Sequence, residues 1–160
     1  MRPLILAALV ALAVPTAAPA QDAQERIAWN RPFAPFSIIG NVYYVGTEGL
    51  SAFLITGPRG HVLIDGGLPE SAPVIAANIK ALGFQLRDVK YLLINHTHFD
   101  HAGGLAELKR LTGAQLAGTA QQRADLASGK TLGRPQLAGF PPVRIDRYVK
   151  DGDRLTLGSI

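Results

Sequence analysis

Asn95-His96-Thr97-His98-Phe99-Asp100-His101-Ala102-Gly103-Gly104 gathers three of the chain's 4 histidines and an aspartate into one short run. Neutral imidazoles suit zinc, a carboxylate adds a hard oxygen donor, and adjacent donor groups can serve two ions rather than one. The run points to a metal-dependent hydrolase. Tyr91-Leu92-Leu93-Ile94 before it is an apolar stretch of strand type, and Gly103-Gly104 separate it from a helical pattern. The ligands therefore fall on a strand-to-helix loop, where a rigid scaffold lets reactive side chains converge on water and substrate. A solvated histidine-rich turn is the plainer alternative, and the HxHxDH spacing after a buried strand argues against it. His96 and His98 are two apart, so on an extended backbone both side chains point to one side and can grip one ion.

Outward from this loop, strands and helices alternate. Val42 to Val45 and Ala52 to Ile55 read as strands, and Gly57-Pro58-Arg59-Gly60 is a turn into the strand His61 to Ile64. Pro69 or Ser71 opens a helix with Ile75, Ile79 and Leu82 on one face and Gly83 at its stop. After the strand Lys90 to Ile94 and the ligand loop comes a helix carrying Leu105, Leu108 and Leu111, with Lys109 and Arg110 in its last turn and Gly113 ending it. Gln115 to Ala117 is a short strand, Thr119 caps a helix that stops near Gly129, Gly129 to Pro142 is a loop, and Val143 to Val149 is a strand. Asp151-Gly152-Asp153 is a turn before a further strand over Arg154 to Ile160. A hairpin start followed by alternation is an α/β layered pattern.

The N-terminus predicts export. Met1-Arg2-Pro3 is a short positive region, Leu4 to Val14 is an apolar run too short to span a bilayer as a mature helix, and Ala18-Pro19-Ala20 is a small-residue cleavage site. Residues 1–20 read as a secretory signal peptide, with the mature domain over residues 21–160 and a periplasmic location. A retained membrane anchor is the alternative. Loss of Arg2 with the signal lowers the formal charge from +4 to +3. A pI near 9.7 fits attraction to anionic surfaces or small anions, but no dense Lys/Arg run interleaved with aromatics argues for nucleic acid. The chain has no cysteine, so disulfides and thiol chemistry are excluded for these residues.

The run Asn95 to Gly104 resembles the signature of the metallo-β-lactamase superfamily. Trp29 to Gly46, Leu50 to Thr56 and Leu63-Ile64-Asp65-Gly66-Gly67 bring it closest to the subclass B3 zinc β-lactamases. The resemblance covers everything after about the first two dozen residues. His101 bears on the subclass, since B1 and B2 members usually carry arginine at the matching position and B3 members a second zinc ligand. The resemblance implies a four-layer αβ/βα sandwich, of which this chain is expected to hold only the N-terminal half, truncated at the C-terminus. It implies two Zn2+ ions, the first on His96 and His98, the second on Asp100 and His101, each taking one more histidine from the second half. His61 begins a strand and is expected to be a partly exposed strand residue rather than a substitute ligand.

The activity implied is hydrolysis of the β-lactam amide bond of a small-molecule antibiotic by a metal-activated hydroxide, conferring resistance, with Asp100 as the catalytic carboxylate that holds the nucleophile in line. Asp65 resembles the family's aspartate behind the ligands, expected to fix the ligand loop by accepting hydrogen bonds or to cap the turn. Trp29, Phe33 and Phe36 are candidates for an apolar wall by the site mouth, or for ordinary packing. The alternatives are another hydrolase of the same fold, acting on a lactone, thioester or phosphoester, or an inactive fragment.

Overall fold

The computed structural model describes residues 18–158 and residue 160. Most of the expected signal peptide therefore lies outside the described residues. The first described element, α1 (Ala18–Trp29), spans the cleavage point expected after Ala20. No helix among the described residues is long and apolar enough to cross a membrane.

One mixed sheet organises the rest. Its strands β1 (Phe36–Ile39), β2 (Val42–Tyr44), β3 (Phe53–Gly57), β4 (Gly60–Ile64), β5 (Val89–Leu93), β6 (Gln115–Gly118) and β7 (Arg147–Tyr148) lie side by side in chain order. Pairs up to β3–β4 are antiparallel and those from β4–β5 onward are parallel. The change of sense follows from the connections, since two residues suffice to reverse direction between β3 and β4, whereas a parallel return needs a crossover. Helices α2 (Ser71–Ala81) and α4 (Leu105–Thr112) supply the crossovers on either side of β5.

The register places Leu54, Leu63, Leu92 and Leu116 in one row across β3 to β6. All four are fully buried, in one cluster with Ile75 and Ile79 of α2 and Leu105 and Leu108 of α4. The next row, Phe53, Ile64 and Leu93, faces the other side of the sheet and is only half-buried. Alternation along the strands thus divides one face under helices from a second, more open face. Gly113, at φ 71, stops α4 where the sequence predicts.

At the ends of the sheet one strand is added and two expectations are corrected. Phe36–Ile39 forms an edge strand, with all four residues exposed. The strand expected over Val143 to Val149 shrinks to Arg147–Tyr148. Upstream of it, the Val143 N–H bonds Leu126 O at 2.9 Å, and the Asp146 carboxylate takes the Leu116 N–H at 2.8 Å, where a strand's backbone carbonyl would otherwise stand. Arg154 to Ile160 holds no strand among its described residues; Leu157 and Ile160 bond each other around a turn with Gly158 at φ 66.

Candidate metal centre

Because β4 and β5 run parallel with Ile64 beside Leu93, their following loops leave the sheet together. Asp65 sits at that exit, 4% exposed, at φ 64. Left-handed backbone is uncommon outside glycine, and aspartate is among the residues that tolerate it. The turn aims the carboxylate at the ligand loop: Oδ1 accepts the Asn95 N–H at 2.8 Å, and Oδ2 lies 2.9 Å from His101 Nδ1. One buried side chain therefore orients both the start of the loop and one of its imidazoles.

His98 is extended, at φ -77 and ψ 154, and caps the single helical turn α3 (Phe99–Ala102). That turn brings Asp100 and His101 back toward His96. Donor atoms of His96, Asp100 and His101 all lie within 4.8 Å of one another. The His98 ring packs against the His96 ring at 4.4 Å between centroids, and the His101 ring lies 4.1 Å from it. His101 Nε2 faces Asp100 Oδ2 at 3.6 Å. All four side chains are half-buried, open to solvent on one side.

The surroundings shift the His96 and His101 imidazoles in opposite directions. Burial, and then the charges of His101 and His98, hold the His96 imidazole below its ordinary pKa, so it stays neutral and able to donate a lone pair. The hydrogen bond to Asp65 raises His101, making its Nδ1 the protonated nitrogen and leaving Nε2 directed at the cluster. A carboxylate behind a ligating histidine is how proteins set the tautomer of a metal ligand. Nitrogen donors with a carboxylate, partly shielded and with an open side, fit zinc in a hydrolytic site.

Two glycines allow the loops to close on each other. The Gly66 N–H bonds the His101 carbonyl at 2.9 Å, and a Cβ on Gly104 would collide with the Gly66 carbonyl oxygen. Contacts from further along the chain were not legible in the sequence. Thr97, buried between the two histidines, donates its hydroxyl to Asp125 Oδ2 at 2.6 Å, and its carbonyl accepts the Thr131 hydroxyl at 2.7 Å. Gln122 accepts the Thr119 N–H at 2.9 Å and donates to Asn95 O at 3.3 Å. The only advance signal was Thr119 as a cap, since α5 (Arg123–Ser128) follows the turn that it opens.

A cavity of about 360 Å³ opens beside α3, lined by Glu25, Arg26, Trp29, Phe99, Leu137 and neighbours. Trp29 lines this cavity, whose lining includes Phe99 of the ligand loop but not His96, His98, Asp100 or His101. Phe33 and Phe36 do not line that cavity; they pack around Tyr44 at 5.8 and 5.3 Å and stay partly exposed. The expectation for His61 is corrected: it is 8% exposed, its ring stands 5.0 Å from Phe84, and its Nδ1 accepts the Gly57 N–H at 3.4 Å. It pairs with Val89 at the start of β5, at the opposite end of the strands from Asp65.

Comparison with known proteins agrees with this geometry. The solved Rm3 metallo-beta-lactamase superposes with a TM-score of 0.81 at 50% identity, covering 84% of this chain and 52% of that one. MEM-A1, a subclass B3 metallo-beta-lactamase isolated from a soil metagenome library, superposes at 0.77 with 51% identity, covering 81% of this chain and 51% of that one. A hydroxyacylglutathione hydrolase of Methylobacterium nodulans is 31% identical over 93 residues, 58% of this chain and 29% of the relative. The chain thus spans about half the length of the solved structures it matches and under a third of that relative. A family model of the metallo-beta-lactamase superfamily matches residues 45–158, from β2's end past β7, and with the metal-type cluster at the mouth of its parallel strands the chain belongs to that superfamily.

Proposed function

We propose that this chain is part of an exported, periplasmic dizinc β-lactamase of subclass B3 that opens the β-lactam amide bond and confers antibiotic resistance. The observation that carries the reading is the identity of about half, over most of this chain, to solved metallo-beta-lactamases, and within the β-lactamases His101 bears on the subclass. A B3-type histidine stands where B1 and B2 members usually have arginine, its donor atom joins those of His96 and Asp100, and Asp65 holds its other nitrogen. The identity of about half to solved β-lactamases supports the same subclass.

Hydrolysis adds water across the C–N bond, its oxygen going to the carbonyl carbon and a proton to the departing nitrogen. Zinc, when bound, supplies Lewis acidity for polarising that carbonyl and for activating water. His96 and His98 would hold one ion, Asp100 and His101 the second. Asp65 keeps the His101 proton on Nδ1, so that Nε2 remains a donor. Asp100 offers a second oxygen as acceptor for a hydrogen bond from the attacking water, which lines its lone pair up with the carbonyl. The cavity beside Phe99 is of a size suited to a small-molecule side chain, with Trp29 and Leu137 as apolar walls.

A second reading is supported by the hydroxyacylglutathione hydrolase relative, since HxHxDH belongs equally to hydrolases of other esters on this fold. Turnover of a chromogenic cephalosporin and of a hydroxyacylglutathione by the full-length protein, measured side by side, separates the two. The β-lactamase reading expects the cephalosporin to be hydrolysed with the larger kcat/KM by at least tenfold. The reverse preference overturns it.

A further inference from the structure

We infer that Asp125 is a positioning residue for the metal centre, clamping the peptide between His96 and His98 from behind; the inference rests on the metal-hydrolase reading above. On the extended backbone of this loop, Thr97 points away from the side that its two histidine neighbours share. It is 8% exposed, and both its polar ends are engaged. The hydroxyl donates to Asp125 Oδ2 at 2.6 Å and the carbonyl accepts from Thr131 at 2.7 Å. The other carboxylate oxygen of Asp125 accepts the Leu132 N–H at 3.3 Å, and its backbone carbonyl accepts Gly129 N–H at 2.9 Å and Lys130 N–H at 3.2 Å. A single residue of α5 thereby ties the ligand loop to the start of the loop that carries Leu137 to the cavity.

The physical consequence concerns affinity. A His-Thr-His stretch without this clamp has to be ordered by the ion itself, and the ordering cost is subtracted from binding. A clamped one presents the His96 and His98 rings, 4.4 Å apart, before any ion arrives. Asp125 hydrogen-bonds Thr97 and not the His96 or His98 ring, so its effect on them runs through the peptide that carries Thr97.

Zinc affinity of the full-length protein, measured by competition with a chromophoric chelator, tests this, with the visible spectrum of the cobalt-substituted protein as a report on ligand geometry. Asp125→Ala and Thr97→Val are each expected to weaken zinc binding about tenfold. Their double variant should be no weaker than Asp125→Ala alone, because the Thr97–Asp125 bond that Thr97→Val removes is already lost there. Thr97→Ser, which keeps the hydroxyl, should restore the parent affinity and cobalt spectrum. Asp146→Ala removes a comparable carboxylate bond at the far side of β6 and should lower Tm without moving zinc affinity. Should Asp125→Ala fail to fold, the Thr97→Val and Thr97→Ser pair decides alone, since it leaves the Asp125 bond to Leu132 in place. Variants that bind zinc as the parent does, or losses that multiply in the double variant, overturn the clamp and leave the metal reading standing. A parent that takes up no zinc overturns both.

Discussion

The two ends of the parallel strands carry the same residue type to opposite fates. At the amino end of β4, His61 is packed against Phe84 with a backbone N–H as its hydrogen-bond partner. Beyond the carboxyl end of β5, the His96 ring stands against those of His98 and His101, Asp100 joins the donor atoms of His96 and His101, and Asp65 holds His101 from behind. The difference lies in what the chain does next. A two-residue hairpin turns the chain back at once on the His61 end, setting Thr56 opposite His61, whereas parallel strands end together and must release long connections on the same side. Ligand sites of α/β sheets collect at such carboxyl ends for that reason. A histidine's chemistry here is set by sheet direction before it is set by its neighbours.

The largest expected effect tests the carboxyl end as a whole. Exhaustive chelation of the full-length protein should abolish hydrolysis of a chromogenic cephalosporin, and zinc should restore it, because every reactive group gathered there is a metal donor. Metal analysis should find about two zinc ions per molecule; unchanged turnover without metal would break the comparison outright.

Next in size is the support beneath the ligands. Asp65→Ala removes the acceptor for Asn95 and for His101, and should weaken zinc binding by about 10- to 100-fold. It should also cost about 2 kcal/mol of stability, for buried donors left unpaired. Asp65→Asn keeps an oxygen and tolerates the left-handed backbone, so its stability loss should be smaller than that of alanine while the affinity loss remains. Denaturant unfolding alongside the chelator competition separates the two effects.

His61→Ala sharpens the contrast from the amino end. It should cost about 2 kcal/mol, as a buried ring replaced by a cavity does, yet leave zinc stoichiometry and affinity as in the parent. A changed zinc affinity would show that the two ends communicate.

The smallest effect belongs to the Arg26–Glu70 pair, which joins α1 to the entry of α2 at 2.9 Å. Partial burial opposes ionisation of Glu70, and the bonds from Arg26 outweigh it, so the carboxyl lies below its ordinary range. A group with a depressed folded pKa contributes stability above its unfolded value and loses it as pH falls through the folded one. Arg26→Ala should therefore lower Tm slightly near neutral pH, by the equivalent of at most about 1 kcal/mol for so exposed a pair. The difference from the parent should vanish in acid below the folded pKa. A difference that grows in acid would refute the assignment.

Much of this molecule is written in local sequence. The apolar runs, the helix stops at Gly83 and Gly113 and the ligand run Asn95 to Gly104 were legible because period, turn chemistry and donor spacing are properties of neighbours along the chain. Local reading failed where partners are distant. Val143 to Val149 is apolar enough for a strand, yet a side chain of its own, Asp146, replaces part of the ladder. Phe36–Ile39 becomes a strand only because β2 lies beside it. The burial of His61 is not legible locally, because its ring partner Phe84 comes from the segment after α2.

The sequence by itself determined that three histidines and an aspartate gather directly after a strand, since that depends on residue types within one short run. Only the tertiary structure decided that Asp65 reaches His101, 36 residues away, and that Asp125 reaches Thr97, 28 residues away. The physical reason is direction. A hydrogen bond requires two groups to meet at about 3 Å in a set orientation, and the parallel alignment of β4, β5 and β6, held by the buried leucine row, is what brings these loops face to face.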